Sequence, residues 1–136
     1  MKKYVFTGKT RPSASGGLLH QIRAVHDIPS ILVKAGDLGG WIENEDNLSH
    51  SGDCWVFPNA EVYEDARVYE DASIYEGAVS GQARVHGNAK LYKNVAVYEY
   101  ADISGDTKLI GPIHIYGEAK LNNPGTIDKS IHGCPA

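Results

Sequence analysis

The sequence predicts an all-β chain wound as a triangular parallel β-helix. Three observations predict it: an aliphatic residue returns every six positions, a small residue follows four positions later, and Gly, Pro and Asn gather between them. The aliphatic series is Val56, Val62, Val68, Ile74, Val79, Val85, Leu91, Val97, Ile103, Leu109, Ile115, Leu121 and Ile127, with a single five-residue step from Ile74 to Val79. The small series is Ala60, Ala66, Ala72, Ala78, Ala83, Ala89, Val95, Ala101, Thr107, Ile113, Ala119, Gly125 and Ile131. A helix does not explain a six-residue step, because about 100° per residue sends successive aliphatics in three directions. A straight strand fails as well: period two would put Val62, Glu64, Ala66, Val68 and Glu70 on one face and bury a carboxylate in every unit. The chain therefore bends at the glutamates, three edges make one coil of about eighteen residues, and about four coils stack.

The elements follow in order. Residues 1–47 lie outside the repeat and hold two strand-like runs, KYVFT and LLHQIRAV, around the turn-rich GKTRPSASGG, which predicts a β-hairpin cap over the open end of the coil. Residues 48–132 form the β-helix, with Ile42, Leu48 and Val56 shaping an irregular first turn. Gly77, Gly81, Gly87, Gly105, Gly111 and Gly117, with Pro58, Pro112 and Pro124 and several Asn, fall at the corners, where turn chemistry is needed. Residues 133–136 form a tail, and Cys134 is an incidental thiol there.

Units such as VYEDAR, VHGNAK and IYGEAK resemble the hexapeptide repeat of left-handed β-helix proteins. The resemblance covers roughly residues 53–132 and implies a left-handed coil. The whole chain, with GDLGGWIENEDNLSHSGDCWV leading into VYEDARVYEDA, is similar to uncharacterised bacterial and phage or prophage hexapeptide-repeat proteins labelled as acyltransferases. A phage-derived protein that blocks a host component is the purpose this similarity implies.

Composition narrows the classes. The 136 residues suit one domain, no apolar run reaches the length of a membrane span, and the N-terminus lacks a signal-peptide core, so a cytoplasmic protein of a bacterial host cell is expected. Two separated cysteines offer neither a disulfide framework nor a zinc knuckle, and the net charge of −4 disfavours direct nucleic-acid binding.

The residues flanking each aliphatic point outward and define three faces. The first carries Trp55, Phe57, Ser73, Tyr75, Lys90, Tyr92, Lys108 and Ile110; its aromatic row of Trp55, Phe57, Tyr75, Tyr92 and Ile110 is the expected homodimer or homotrimer interface. The second carries Glu61, Tyr63, Ser80, Ala96, Tyr98, His114 and Tyr116. The third is basic, and Arg67, Tyr69, Arg84, His86 and Lys120 are the expected contacts for a protein partner or a phosphate-bearing small molecule. Six of the eight tyrosines share one outward slot. An acidic corner of Glu64, Asp65, Glu99 and Glu118 lies between the second and third faces and could imitate the charge of nucleic acid.

The acyltransferase label would require a histidine base and a loop projecting over a thioester site. No insertion interrupts Val56 to Ile127; His86 and His114 lie in ordinary outward slots, and His50 precedes the repeat. Adjacent Glu64–Asp65 and Glu70–Asp71 are solvated corners rather than a metal site. The sequence thus points to a non-catalytic binding protein without metal or cofactor, with capture of a phosphorylated ligand and acetyl-CoA-dependent acyl transfer as the two alternatives.

Overall fold

The computed structural model describes residues 2–122 and 124–133; Cys134 lies outside them. The strands in chain order are β1 (Tyr4–Pro12), β2 (Leu18–Ala24), β3 (Leu38–Ile42), β4 (Trp55–Val62), β5 (Arg67–Val68), β6 (Ser73–Val79), β7 (Arg84–Val85) and β8 (Lys90–Leu91). They continue as β9 (Val95–Val97), β10 (Asp102–Ile103), β11 (Thr107–Leu109), β12 (Ile113–Gly117), β13 (Lys120–Leu121), β14 (Gly125–Ile127) and β15 (Ile131–Gly133).

Among β3 to β15 every pairing is parallel, and the pairs align the aliphatic series into three columns. The first edge stacks Val56, Ile74, Leu91, Leu109 and Ile127. The second stacks Ile42, Val62, Val79, Val97, Ile115 and Ile131. The third stacks Leu48, Val68, Val85, Ile103 and Leu121. The chain is a parallel β-solenoid of about five turns, one more than the repeat count suggests. The additional rung comes from Ile42 and Leu48, which precede the regular units and are fully buried. Removing a Val, Leu or Ile side chain from water contributes roughly 1.5–3 kcal/mol, so the columns are the main source of stability.

The small series has two exceptions, Ala78 and Ile131. Ile131 pairs with Ile115 and so belongs to the second aliphatic column. Ala60 pairs with Gly77, and Gly77 pairs with Val95, so Gly77 fills the inward slot and Ala78 faces outward between Glu61 and Ala96. The five-residue step has therefore removed a corner residue and shifted the slot by one. Gly77 is required there: its φ is 132°, and a Cβ would collide with the Val95 carbonyl oxygen. Both β4 and β6 run through the first bend and join the first two edges.

The cap differs from a simple hairpin. β1 continues through Pro12, into the segment expected as loop, because Thr10, Arg11 and Pro12 pair with His20, Leu19 and Leu18 across a register shift after Phe6. β3 then joins β2 antiparallel and β4 parallel, so the cap is three-stranded and hydrogen-bonded into the second edge of the coil. It is pinned by polar contacts too. The Tyr4 hydroxyl donates to the Leu48 carbonyl at 2.6 Å, and the buried Lys3 ammonium donates to the carbonyls of Cys54 (2.6 Å) and Gly52 (3.2 Å).

Candidate functional site

The third edge brings four outward side chains into line on successive rungs: Arg67 on β5, Arg84 on β7, Asp102 on β10 and Lys120 on β13. Beside them Tyr69 stacks on His86, with ring centroids 4.7 Å apart and planes 5° from parallel. The turn between β3 and β4 overhangs the start of this edge. Between the two lies an open cleft of about 540 Å³ whose one wall is Arg67, Tyr69 and Arg84 and whose other is Glu45, Asp46, Ser49 and His50, with Leu48 and Val68 at its base.

The turn holds its shape through Asn47, which is buried with all four side-chain hydrogen bonds made. Its amide donates to the carbonyls of Glu64 (3.1 Å) and Ala66 (2.8 Å), while its oxygen accepts from the backbone of Glu43 (3.0 Å) and Asn44 (2.8 Å). His50 stacks on Tyr4 at 4.1 Å between centroids. Its Nδ1 accepts from the Lys3 backbone N–H at 3.0 Å, and its Nε2 faces Glu45 Oε1 at 2.8 Å. Because a backbone N–H can only donate, the neutral ring carries its proton on Nε2 and gives it to Glu45. The His50 hydrogen bond, ahead of the Lys2 ammonium, holds the Glu45 carboxyl below its ordinary value against a smaller opposing effect of burial.

Arg67 and Arg84 face each other directly across two strands, a like-charge pairing that is unfavourable by itself. Neither makes an ion pair with a carboxylate among the described residues. The ionisation of the Tyr69 hydroxyl is pushed up, first by burial and next by the Asp102 charge, with the Arg84 charge opposing.

Of the residues expected on the basic face, three therefore share the cleft, and two do not. His86 is clamped between Glu70, at 3.1 Å from Nδ1, and Asp102, at 2.7 Å from Nε2, behind the Tyr69 ring. Lys120 stands three rungs from Arg67, about 14 Å along the axis, with Asp102 between. The opposite wall, Glu45 to His50, lies outside the repeat, and six-residue spacing gives no signal for it.

The expected aromatic row on the first face is shorter than the sequence suggests. Trp55 is 1% exposed: the cap folds over it, setting Tyr4 edge-on to its ring at 6.3 Å and packing Gly39 against it. Phe57, Tyr75 and Tyr92 remain as a stacked ladder, 4.4 and 5.2 Å between successive centroids, with Ile110 exposed beyond it. The acidic corner is also structural in part, since Glu64 and Glu99 each accept a hydrogen bond from the backbone of the next coil, at Gly81 and Gly117.

Among the described residues no group of three or more His, Cys, Asp or Glu is placed to hold a metal ion, and no helix is long and apolar enough to cross a membrane. No known family profile matches the chain. A 45-residue stretch is 38% identical to an uncharacterized acetyltransferase, YdcK, of Escherichia coli strain K12. That stretch covers 33% of this chain and 13% of the relative. The match and the stacked coils fit a hexapeptide-repeat-like β-helix protein.

Proposed function

We propose that this protein is a non-catalytic binding protein that captures a phosphate-bearing small molecule in the third-face cleft and self-associates through the Phe57–Tyr75–Tyr92 ladder. The observation that carries the ligand reading is the Arg67–Arg84 pair: two guanidinium groups on adjacent rungs, open to a cleft and lacking a carboxylate partner. Guanidinium forks match phosphate oxygens bidentately, and an anion between them turns a repulsive pair into a favourable one. Ser49 and Tyr69 supply further hydroxyls on the same cleft.

The test is a thermal-unfolding titration with inorganic pyrophosphate. Binding at 100 times Kd stabilises a folded protein by about 2.7 kcal/mol, so the wild-type midpoint rises. The Arg67→Ala/Arg84→Ala double variant should lose that rise. A wild type that does not respond, or a double variant that responds equally, overturns the proposal.

Acyl transfer from acetyl-CoA is the second reading, favoured by the similarity to YdcK. It needs a histidine with a free basic nitrogen, and His50 already accepts a backbone N–H while His86 faces carboxylates at both nitrogens. Release of CoA thiol from acetyl-CoA, faster with wild type than with His50→Asn or His86→Asn, would establish it in place of the binding reading.

A further inference from the structure

The second face carries an aromatic column with one ring missing. Its outward positions on successive rungs are Tyr63, Ser80, Tyr98 and Tyr116, aligned by the continuous backbone bonds Tyr63 N–H to Val79 O, Ser80 N–H to Val97 O and Tyr98 N–H to Ile115 O. Where rings occupy neighbouring rungs of this coil they stack flat: Tyr98 on Tyr116 at 5.1 Å and 7°, Tyr75 on Tyr92 at 5.2 Å and 6°. Ser80 breaks the series, and two rungs, about 9.6 Å, separate Tyr63 from Tyr98. That interval equals two stacking steps and leaves room for one planar ring between the tyrosines.

The gap forms an open surface cleft. It has a volume of about 450 Å³, with Tyr63 and Tyr98 as walls, Ser80, Ala78 and Ala96 as the floor, and Glu64 and Glu99 at the rim. The alanines matter because they remove bulk from the neighbouring outward column on the same two rungs; Ala78 reached that column only through the five-residue step. Each rim carboxylate spends one oxygen, Oε1, on the backbone of the next coil, at Gly81 and Gly117. The second oxygen of each has no hydrogen-bond donor among the described residues and is an acceptor beside the slot.

We propose that this slot binds a small planar aromatic cation, an amidine or amine-bearing ring, sandwiched between Tyr63 and Tyr98 with its N–H donors toward Glu64 and Glu99. The thickness of the gap selects one flat ring, the tyrosine faces attract a cation, and the rim carboxylates reject anions. This site is separate from the phosphate cleft, and neither depends on the other.

Benzamidine is the probe, titrated into the intact protein by NMR or calorimetry. Benzoate is the anionic control of the same shape, and cyclohexanecarboxamidine is the non-planar control of the same charge. Benzamidine binds and the two controls do not; Tyr98→Ala weakens it about tenfold, and Arg67→Ala/Arg84→Ala leaves it unchanged. Ser80→Tyr fills the slot, abolishes benzamidine binding and raises the melting temperature by roughly 2–5 °C through the completed ladder. Absence of benzamidine binding, comparable binding of either control, binding that survives in Ser80→Tyr, or a lower melting temperature in that variant overturns the proposal.

Discussion

The carboxylate of Glu64 accepts a hydrogen bond from the backbone N–H of Gly81, the residue above it in the next coil, at 3.1 Å. Glu64 itself has φ 58°, and Gly81 has φ 65°. The same relationship joins Glu99 to Gly117 and Glu70 to Gly87. Left-handed backbone costs a residue with a Cβ on the order of 1–2 kcal/mol, and a charge-assisted bond to an otherwise unpaired corner N–H offsets it. The partner is Gly for a steric reason: a Cβ on Gly81 would come within 2.8 Å of the Glu99 nitrogen in the coil beyond. The alternation of Glu and Gly up a corner is thus a device for closing the coil.

Glu70 gives this device a pH signature. The Gly87 N–H, followed by His86, holds its carboxyl below the ordinary value in the folded protein. A depressed folded value means that the contribution is present above the unfolded carboxyl's value, about 4.3, and is lost as pH falls through the folded value. Urea unfolding of wild type between pH 6 and 3 should therefore show stability declining on the acid side. Glu70→Gln, which keeps an oxygen for Gly87 but no titratable group, should show a shallower decline, and an unaltered slope would contradict the assignment.

Gly77→Ala should destabilise the protein by about 2 kcal/mol or more, since the side chain meets backbone and the φ of 132° is closed to alanine. Gly8→Ala provides the comparison, having φ 98° but open space around the added carbon. The denaturation midpoint of Gly77→Ala should fall further than that of Gly8→Ala; equal midpoints would mean the Val95 contact is not tight.

Asn47→Asp should cost about 3 kcal/mol. The two oxygens of Asp cannot donate to the Glu64 and Ala66 carbonyls, leaving buried acceptors facing a buried charge. Chemical denaturation at pH 7 measures this. Loss of the turn should also weaken pyrophosphate binding, because Asn47 shapes the Glu45–His50 wall.

Self-association through the first face predicts that wild type scatters light as a multiple of 14.7 kDa. Tyr92→Glu, which places a charge within the Tyr75 stack, should run as a single chain. A wild type of 14.7 kDa removes this part of the proposed function.

Much of the fold was legible because each inward slot repeats the same demand. Val68, Val85 and Ile103 occupy equivalent sites in successive coils, so one physical requirement is written several times over. Trp55 departs from the pattern for the opposite reason: its slot is outward by periodicity, and only the cap, from far earlier in the chain, covers it. Ala78 leaves the inward slot because the corner is one residue short, and which residue moves inward is fixed only when Val95 is set above Gly77. The cleft was half legible. Arg67, Tyr69 and Arg84 follow from the period, whereas Glu45, Ser49 and His50 belong to a turn with no repeat to locate it.

The sequence by itself determined the coil, because burying one aliphatic and one small residue in every six leaves a chain few other ways to exclude water. It determined the faces as well, since outward slots follow once inward ones are known. Only the tertiary structure decided what those faces present. Stacking at one strand spacing set Arg67 against Arg84 and left the gap at Ser80 between Tyr63 and Tyr98, and the cap withdrew Trp55 from solvent. Those outcomes depend on residues far apart in the sequence meeting in space, and a local pattern of six carries no record of such a meeting.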